Sequence, residues 1–319
     1  MTGQVEKTPL IVTVGANPAW QKVLQFADFR RGEVNRADRV DAFASGKGIN
    51  FCRAVKVWGV ADCRLLQFAG GENGRFLLAD LEREGLAHRT IPAASATRCC
   101  ITCLGEADRS MTELIEPSRG PGLAAENSAL TWLETVLPEA DGMAICGQVP
   151  AGMATDFYAA CVTRAAAAGV PVLIDSWKNI ASALAAGRRI TLKINADELR
   201  KLSGHDGIAD AMRELRDRYR LECLAVTDGV RPAFLLEEDA LWQFSVPRVD
   251  KVVNPVGSGD TASAVFWSER LAGKSAEEAF RAGLAAASAN CCSLLCGSFD
   301  RALAECFMEQ CIPSRQSLL

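Results

Sequence analysis

The chain has 319 residues, of which 49% are hydrophobic and 23% charged, and its formal net charge is −4. This composition is typical of a globular protein with a well-buried core and excludes a disordered chain. The acidic balance argues against a general nucleic-acid surface, because proteins that bind the phosphate backbone usually carry an excess of basic residues.

The thirteen cysteines do not follow the pattern of a disulfide framework. They are odd in number and mostly lie in apolar segments, which favours a reduced, cytoplasmic protein. No CxxC motif is paired with a second CxxC or with the two histidines, so we expect no structural zinc site. The opening segment MTGQVEKTPLIVTVG lacks a signal-peptide pattern, and the uncharged run 282–299 is slightly too short to span a membrane. We predict that this run is a buried helix followed by a turn.

Strand-like and helical segments alternate along the chain. Apolar runs predict strands at 10–14, 64–68, 143–146, 171–174, 190–194 and 223–227, and helical patterns occupy 73–84, 155–168 and 208–219. Glycines that end helical runs, as C-cap residues do, stand at 59, 85, 169 and 187. This order predicts an α/β fold with a mostly parallel sheet and crossover helices on both faces.

Two segments interrupt the alternation and predict a small second sheet. Residues 20–26 have the pattern of an antiparallel strand, and 97–104 and 110–116 form a predicted hairpin joined by GEAD at 105–108. In the first hairpin strand, alternation places Arg98, Cys100 and Thr102 on one face and Cys99, Ile101 and Cys103 on the other. One face could meet a ligand while the other packs.

The stretch NPVGSGDTASAVF at 254–266 predicts a helix N-terminus. Strand-like residues 241–246 and 252–253 precede it, and 261–271 have helical character. Free N–H groups and the helix dipole attract anions there, and glycines allow a phosphate to approach closely. Asp260 could then accept a proton from a hydroxyl that attacks a phosphoryl group, or it could simply cap the helix.

The stretch FASGKGIN at 43–50 precedes a helical run that ends near Trp58. It is not a Walker P-loop, because the motif GxxxxGK[ST] has a lysine after its second glycine, whereas here Ile49 follows the second glycine. Lys47 either contacts an anionic or polyhydroxyl ligand or is a solvated lysine in a plain N-terminal turn.

Six ordered motifs make the chain resemble the PfkB, or ribokinase-like, carbohydrate kinases, and in particular the branch of 1-phosphofructokinase and tagatose-6-phosphate kinase. They are NPA at 17–19 with GEVNR at 32–36; SGKGIN at 45–50; the lid residues Thr97-Arg98, Thr112-Glu113 and Glu116-Pro117; CGQVPAG at 146–152; KINADEL at 193–199; and VGSGDT at 256–261. The resemblance implies a three-layer ribokinase-like fold in one domain, 1–319, with lid strands inserted at about 17–44 and 96–117.

The resemblance also implies site residues, with ATP and Mg²⁺ as cofactors. Asp260 corresponds to the family's base, and Gly257, Ser258 and Gly259 to its anion hole. The implied sugar or sugar-phosphate contacts are Asn17, Gln21, Gly46, Lys47, Asn50 and Arg98; the implied nucleotide contacts are Lys193, Thr227, Gly229 and Asn290; and Asn195 and Glu198 match the motif associated with Mg²⁺. From the residues alone, Glu198 could be a solvated first-turn acid, Arg98 a lid-edge ion pair and Asn290 a satisfied core amide.

Several positions depart from the family pattern. Gln21 replaces an aspartate that grips sugar hydroxyls, and an amide both accepts and donates hydrogen bonds where a carboxylate only accepts. Ile115 replaces a lid asparagine, Cys146 and Gln148 replace two serines, and Pro232 replaces a nucleotide-loop glycine. The turn at 257–260 is intact, so these departures favour a changed substrate specificity over a loss of kinase chemistry.

The expected function is ATP-dependent phosphorylation of a sugar phosphate, such as fructose 1-phosphate or tagatose 6-phosphate. Two alternatives stay open: a kinase of an unphosphorylated sugar or nucleoside, and a catalytically silent sugar-phosphate sensor. No nucleic-acid or membrane partner is expected. The apolar lid face with Cys99, Ile101 and Cys103 predicts a homodimer formed through the lid.

Overall fold

The computed structural model describes residues 7–238 and 240–316, which form a large sheet, a small sheet and flanking helices. In chain order the strands are β1 (Leu10–Gly15), β2 (Ala19–Phe26), β3 (Arg39–Ser45), β4 (Asp62–Ala69), β5 (His88–Pro92), β6 (Arg98–Gly105), β7 (Ser110–Ile115), β8 (Gly142–Cys146), β9 (Val172–Asp175), β10 (Ile190–Asn195), β11 (Cys223–Asp228), β12 (Arg231–Glu237), β13 (Ala240–Phe244) and β14 (Pro313–Gln316). The helices are α1 (Lys47–Trp58), α2 (Gly71–Glu84), α3 (Leu123–Val136), α4 (Phe157–Ala167), α5 (Ala181–Ala185), α6 (Ala196–Ser203), α7 (Ile208–Tyr219), α8 (Ser258–Leu271), α9 (Ala276–Asn290) and α10 (Arg301–Met308).

The large sheet has the strand order β14-β13-β12-β11-β10-β9-β8-β1-β4-β5. Neighbouring strands from β5 to β11 pair in parallel, whereas β12, β13 and β14 form an antiparallel edge. The α/β prediction is confirmed, and all six predicted parallel strands are present. The inner strand β12 and the short edge strand β14 were not predicted, because their sequences, RPAFLLE and PSRQ, contain proline and charge that mask a strand pattern.

Two apolar cores cover the two faces of the large sheet. One joins the sheet to α3–α7 through side chains such as Leu133, Phe157 and Leu215. The other joins it to α1, α2 and α8–α10, with Phe266 and Phe280 in edge-to-face contact at a centroid distance of 5.4 Å. Continuous apolar strands such as LIVTVG need cover on both faces, and this produces the three layers.

The small sheet has the order β3-β2-β6-β7. The predicted hairpin is β6 and β7, and β2 pairs antiparallel with β3 but parallel with β6. The inner face, predicted to meet a ligand, carries Arg98 and Cys100, which line a cavity. On the other face Cys99 and Cys103 are buried. We call these four strands the lid sheet.

Most of the other local predictions are confirmed. Gly59 and Gly85 are left-handed C-caps, and run 282–299 is the end of buried helix α9 followed by a turn. Gly187 is a different case: its φ is not positive, and a Cβ there would lie 2.6 Å from Val162, so close packing requires the glycine. Residues 252–253 form a loop and no strand. No helix in the described part of the chain has the length and hydrophobicity to cross a membrane.

Candidate active site

Two cavities meet at the N-terminus of α8. The first, of about 510 Å³, lies between the carboxyl edge of the large sheet and the lid sheet. The second, of about 630 Å³, is mainly apolar. Gly259 lines both cavities. Both volumes are in the range of small-molecule sites, and both cavities lie where α/β sheets usually bind ligands.

The predicted site residues divide between the cavities. The first is lined by all six predicted substrate contacts, together with the turn at α8: Asn17, Gln21, Gly46, Lys47, Asn50, Arg98, Gly257, Gly259 and Asp260. The second is lined by Thr227, Gly229 and Ser258. Lys193 and Asn290 line neither cavity.

The turn before α8 depends on Gly257. Its φ of +86° is left-handed, and a Cβ there would lie 2.9 Å from the Cβ of Cys296. A glycine is therefore required for both conformation and space. Ser258, Gly259 and Asp260 follow as the first residues of the helix. Their N–H groups belong to the first turn, which has no intrahelical acceptors and can bind an anion.

The side chain of Asp260 points away from its own helix end. It makes no capping bond; Oδ1 accepts from Lys47 Nζ at 2.9 Å and Oδ2 accepts from Asn50 Nδ2 at 2.8 Å. Only 6% of the residue is exposed. The capping interpretation of Asp260 is therefore wrong, since the carboxylate is held by the first turn of α1 beside the first cavity.

A second carboxylate, Asp175, was missed by the sequence analysis. Its Oδ1 accepts from Lys47 Nζ at 2.8 Å, and its Oδ2 accepts from Ser263 Oγ at 2.5 Å. It is the last residue of β9, and the carboxyl ends of parallel strands are where polar site residues gather. That position was the available signal.

Charge is balanced around Lys47. Burial disfavours its ammonium, but the carboxylates of Asp175 and Asp260 overcome this and raise the pKa of Lys47 well above its ordinary value. Burial also opposes the charge on Asp175, yet the ammonium groups of Lys193 and Lys47 lower its pKa. Both groups are therefore ionised at neutral pH, and Lys47 is a cation on the wall of the first cavity.

Lys193 and Asn290 are buried side chains that donate hydrogen bonds to backbone carbonyls. Lys193 is 3% exposed, and its Nζ donates to the carbonyl of Gly259 at 2.9 Å. Asn290 is fully buried and donates to the carbonyl of Ser298 at 2.9 Å. Neither side chain lines either cavity, and the buried Oδ1 of Asn290 has no hydrogen-bond partner among the described residues, so Asn290 is not fully satisfied as a core amide and the nucleotide contacts stay a prediction.

The geometry can be compared with known proteins. A sequence profile of the pfkB family carbohydrate kinases matches residues 9–301. The chain belongs to the PfkB family. It is therefore a phosphotransferase with an alcohol acceptor.

Solved structures similar to this PfkB kinase share its fold along almost the whole length. A Staphylococcus aureus protein with a provisional phosphofructokinase name is 27% identical, with a TM-score of 0.77, and the match covers 96% of this chain and 99% of that chain. Escherichia coli phosphofructokinase-2, solved with potassium, is 21% identical with a TM-score of 0.84 and coverage of 95% and 99%. A Thermotoga maritima protein with a provisional 1-phosphofructokinase name is 18% identical with a TM-score of 0.83 and coverage of 97% and 100%.

The departures of this PfkB chain cluster in the first cavity, whose wall includes Gln21, Ile115, Cys146 and Gln148. Gln21 Nε2 donates to Thr102 Oγ1 at 2.9 Å, so its amide nitrogen is turned toward the neighbouring lid strand β6. Burial and the Asp175 carboxylate raise the pKa of the Cys146 thiol, so it stays protonated. Pro232 lies on β12 and lines neither cavity.

Glu198 has the better fit of the two residues predicted at the Mg²⁺ site. Asn195 and Glu198 form a capping box at α6, in which Asn195 Oδ1 accepts from the Glu198 N–H at 2.9 Å. Glu198 lines the first cavity, and its Oε1 is free of the capping bonds. A carboxylate oxygen suits Mg²⁺, directly or through water. Across residues 7–238 and 240–316, no three histidine, cysteine, aspartate or glutamate side chains form a group able to hold a metal.

Proposed function

We propose that this PfkB kinase transfers the γ-phosphoryl group of ATP to a hydroxyl of a ketohexose phosphate, such as fructose 1-phosphate or tagatose 6-phosphate, with Asp260 as the general base. One observation carries the proposal. Asp260 lies beside a glycine turn at a helix N-terminus, on the wall of the first cavity, where the second cavity meets it at Gly259. A hydroxyl in the first cavity and a phosphoryl group from the second would meet beside this carboxylate.

Two cations support a phosphorylated acceptor over a neutral sugar. Lys47 and Arg98 both line the first cavity. Arg98 makes one long hydrogen bond, from Nη2 to the carbonyl of Asn17 at 3.4 Å, and its buried Nε has no partner among the described residues. An unsatisfied buried donor is costly, and a phosphate oxygen would satisfy it.

The chain's own groups account for the transfer step. Asn50 and Lys47 orient the Asp260 carboxylate, which takes the proton of the attacking hydroxyl. The first N–H groups of α8 and the positive end of its dipole stabilise the charge on the transferred group. Mg²⁺ bound near Glu198 would neutralise negative charge on the phosphates of ATP. Closure of the lid sheet would exclude water and so favour transfer over hydrolysis.

The second cavity suits a nucleoside. Apolar side chains dominate its wall, among them Val230, Val246, Val252 and Leu284, and Thr227 adds a hydroxyl. A flat, weakly polar base would be desolvated there at little cost, while its phosphates reach the turn at Ser258 and Gly259.

The lid sheet also supports a homodimer. In the strand register Val40 lies beside Leu24, and Leu114 beside Ile101, all on the outer face. Val40 and Leu114 are 57% and 54% exposed, and a second copy would cover them. The buried cysteines of this face, Cys99 and Cys103, contribute less than predicted because the chain already covers them. All thirteen cysteines are free thiols, in keeping with a reducing, cytoplasmic compartment.

An ADP-release assay across sugar phosphates, neutral sugars and nucleosides tests the proposal. We expect turnover with a ketohexose phosphate, and we expect Asp260→Asn to lower kcat by about 10²- to 10⁴-fold, the usual contribution of a general base. Asp210→Asn is the matched control, since Asp210 is also a first-turn acid but lies on α7, which lines neither cavity.

The other outcomes separate the alternatives. Turnover only with neutral sugars or nucleosides would show that the changes at Cys146, Gln148 and Ile115 have removed phosphate recognition. Binding of sugar phosphates without turnover would indicate a sensor. Equal rates for Asp260→Asn and the parent would show that Asp260 is not the base.

A further inference from the structure

Arg53 is a buried residue whose hydrogen bonds have no role in the proposed chemistry. It lies on α1 one turn after Asn50, and only 3% of the residue is exposed. Its guanidinium makes four hydrogen bonds to other described residues. Two go to the carboxylate of Glu84, at 2.6 and 2.8 Å, and two go to backbone carbonyls, at Ala44 (2.8 Å) and Cys296 (2.6 Å).

The two carbonyls belong to parts of the molecule that meet at the active site. Ala44 is in lid strand β3, next to Ser45, whose Oγ donates to Asn50 Oδ1 at 3.1 Å. Cys296 is in the loop 291–298, which follows α9 and packs directly against Gly257. One guanidinium therefore connects the lid sheet to the loop that supports the turn at 257–260.

The ion pair with Glu84 alone does not explain this arrangement. One carboxylate balances the buried charge, but a guanidinium has five N–H donors, and those that do not reach Glu84 need other acceptors. The two carbonyl bonds use donors on opposite branches of the guanidinium fork, Nη1 and Nη2. A planar fork can hold such divergent acceptors at fixed separation, whereas a lysine ammonium is a single point.

We propose that Arg53 is a positioning residue that holds the turn at 257–260 in place relative to the base of the lid sheet. The inference rests on the proposed function, because the turn is the proposed anion site. Arg53 holds the carbonyls of Ala44 and Cys296 at a fixed separation, and Cys296 contacts Gly257. Arg53 itself touches neither cavity.

Steady-state kinetics of Arg53→Lys and Glu84→Gln test the proposal. Arg53→Lys keeps the charge, but one ammonium cannot reach both carbonyls, so the turn at 257–260 should be misplaced. A misplaced turn lowers the rate of phosphoryl transfer more than it weakens substrate binding. We expect kcat to fall about tenfold, with KM for both substrates within about twofold of the parent. Glu84→Gln keeps both carbonyl bonds, so its kcat should stay within about twofold of the parent while its Tm falls.

Amide hydrogen exchange of the ligand-free protein gives a readout that does not need turnover. Arg53→Lys should speed exchange in 291–298 and in 256–261, whereas Glu84→Gln should leave 256–261 unchanged. If Arg53→Lys does not fold, the double variant Arg53→Met/Glu84→Leu removes both charges together and leaves no unpaired one, and the same exchange result is expected.

The failures are distinguishable. A parent without kinase turnover refutes the proposed function, and the exchange data still decide the connection between Arg53 and the turn. Unchanged kcat and unchanged exchange at 256–261 in the Arg53 variant, with only a lower Tm, would show that Arg53 is a structural ion-pair partner and overturn the inference.

Discussion

Lys47 holds two buried carboxylates at the carboxyl edge of the large sheet, and their surroundings differ. Asp260 lines the first cavity, and its second oxygen is held by the neutral amide of Asn50. Asp175 is turned inward, with Ser263 on its second oxygen and Lys193 at 3.7 Å. Asp260 therefore lies beside the first cavity, as the proposed base must, and Asp175 balances the buried ammonium of Lys193 and the half-buried ammonium of Lys47.

The balance predicts how Asp175→Asn changes stability. The substitution leaves Lys193, which is 3% exposed, without its carboxylate, so we expect a loss of about 3–5 kcal/mol in the free energy of unfolding at pH 7. Urea denaturation measures it. Asp210→Asn is the control, because the Asp210 side chain is 73% exposed and its pair with Arg213 is a surface pair.

The same variant has a pH signature. The pKa of Asp175 is lower in the folded chain than in the unfolded chain, because Lys193, Lys47 and Ser263 stabilise its charge. Its contribution to stability is complete above the unfolded pKa of about 4 and is lost as pH falls through the folded value. The difference between parent and Asp175→Asn should thus shrink below about pH 4. A constant difference down to pH 2 would contradict the assignment.

At the scale of elements, the site depends on how two helix N-termini face each other. Helix α1 supplies Lys47 and Asn50, and helix α8 supplies Asp260 and the turn that is the proposed anion site. The approach of these ends is set by the loop 291–298, because Gly257 packs against Cys296 and Gly297 packs against the carbonyl of Asn50. The loop therefore fills the space between the helices and sets their separation.

Gly257→Ala tests this packing. A Cβ at φ +86° is strained and would lie 2.9 Å from the Cβ of Cys296, so the turn must shift. We expect kcat to fall by about 10- to 100-fold, since the N–H groups proposed to bind the phosphoryl group move with the turn. Steady-state kinetics and thermal unfolding measure the two effects separately.

Gly204→Ala is the matched control for strain. Gly204 also has a left-handed φ, +78°, at the C-cap of α6, but nothing lies within 4 Å of a Cβ there. It should lower Tm without changing kcat. If both variants lose stability equally and keep full activity, contact between the turn and the loop has no role in catalysis.

At the scale of the whole molecule, the lid sheet has two faces with two uses. The inner face closes the first cavity through Gln21, Cys100 and Arg98. The outer face carries the exposed Val40 and Leu114. We expect light scattering after size-exclusion chromatography at micromolar concentration to give twice the mass of the chain. Leu114→Glu should shift this to the monomer, because a charge within an apolar interface is desolvated without a partner.

Leu123→Glu is the control for the assembly prediction. Leu123 is 70% exposed, but it begins α3 and is not part of the lid sheet. This variant should keep the mass of the parent. A single monomeric mass for the parent would refute the homodimer, and an unchanged mass for Leu114→Glu would place the interface elsewhere.

The local patterns of the sequence determined most of the fold. Apolar runs, helix stops and the hairpin GEAD identify the parallel strands and the lid hairpin, because strand and helix periodicities depend on neighbouring residues. The motifs at 45–50 and 256–261 identify two helix N-termini with glycines, and therefore two places where anions can bind. Both lie at the predicted boundaries, at α1 and α8.

Only the tertiary structure decided which side chains meet. Lys47 is 128 residues from Asp175 and 213 residues from Asp260, so no local pattern shows that one ammonium serves both. Arg53, Lys193 and Asn290 likewise find their partners through the packing of distant elements. Periodicity records which face of an element is apolar, but a buried charge or amide is placed by the acceptors that long-range folding brings to it.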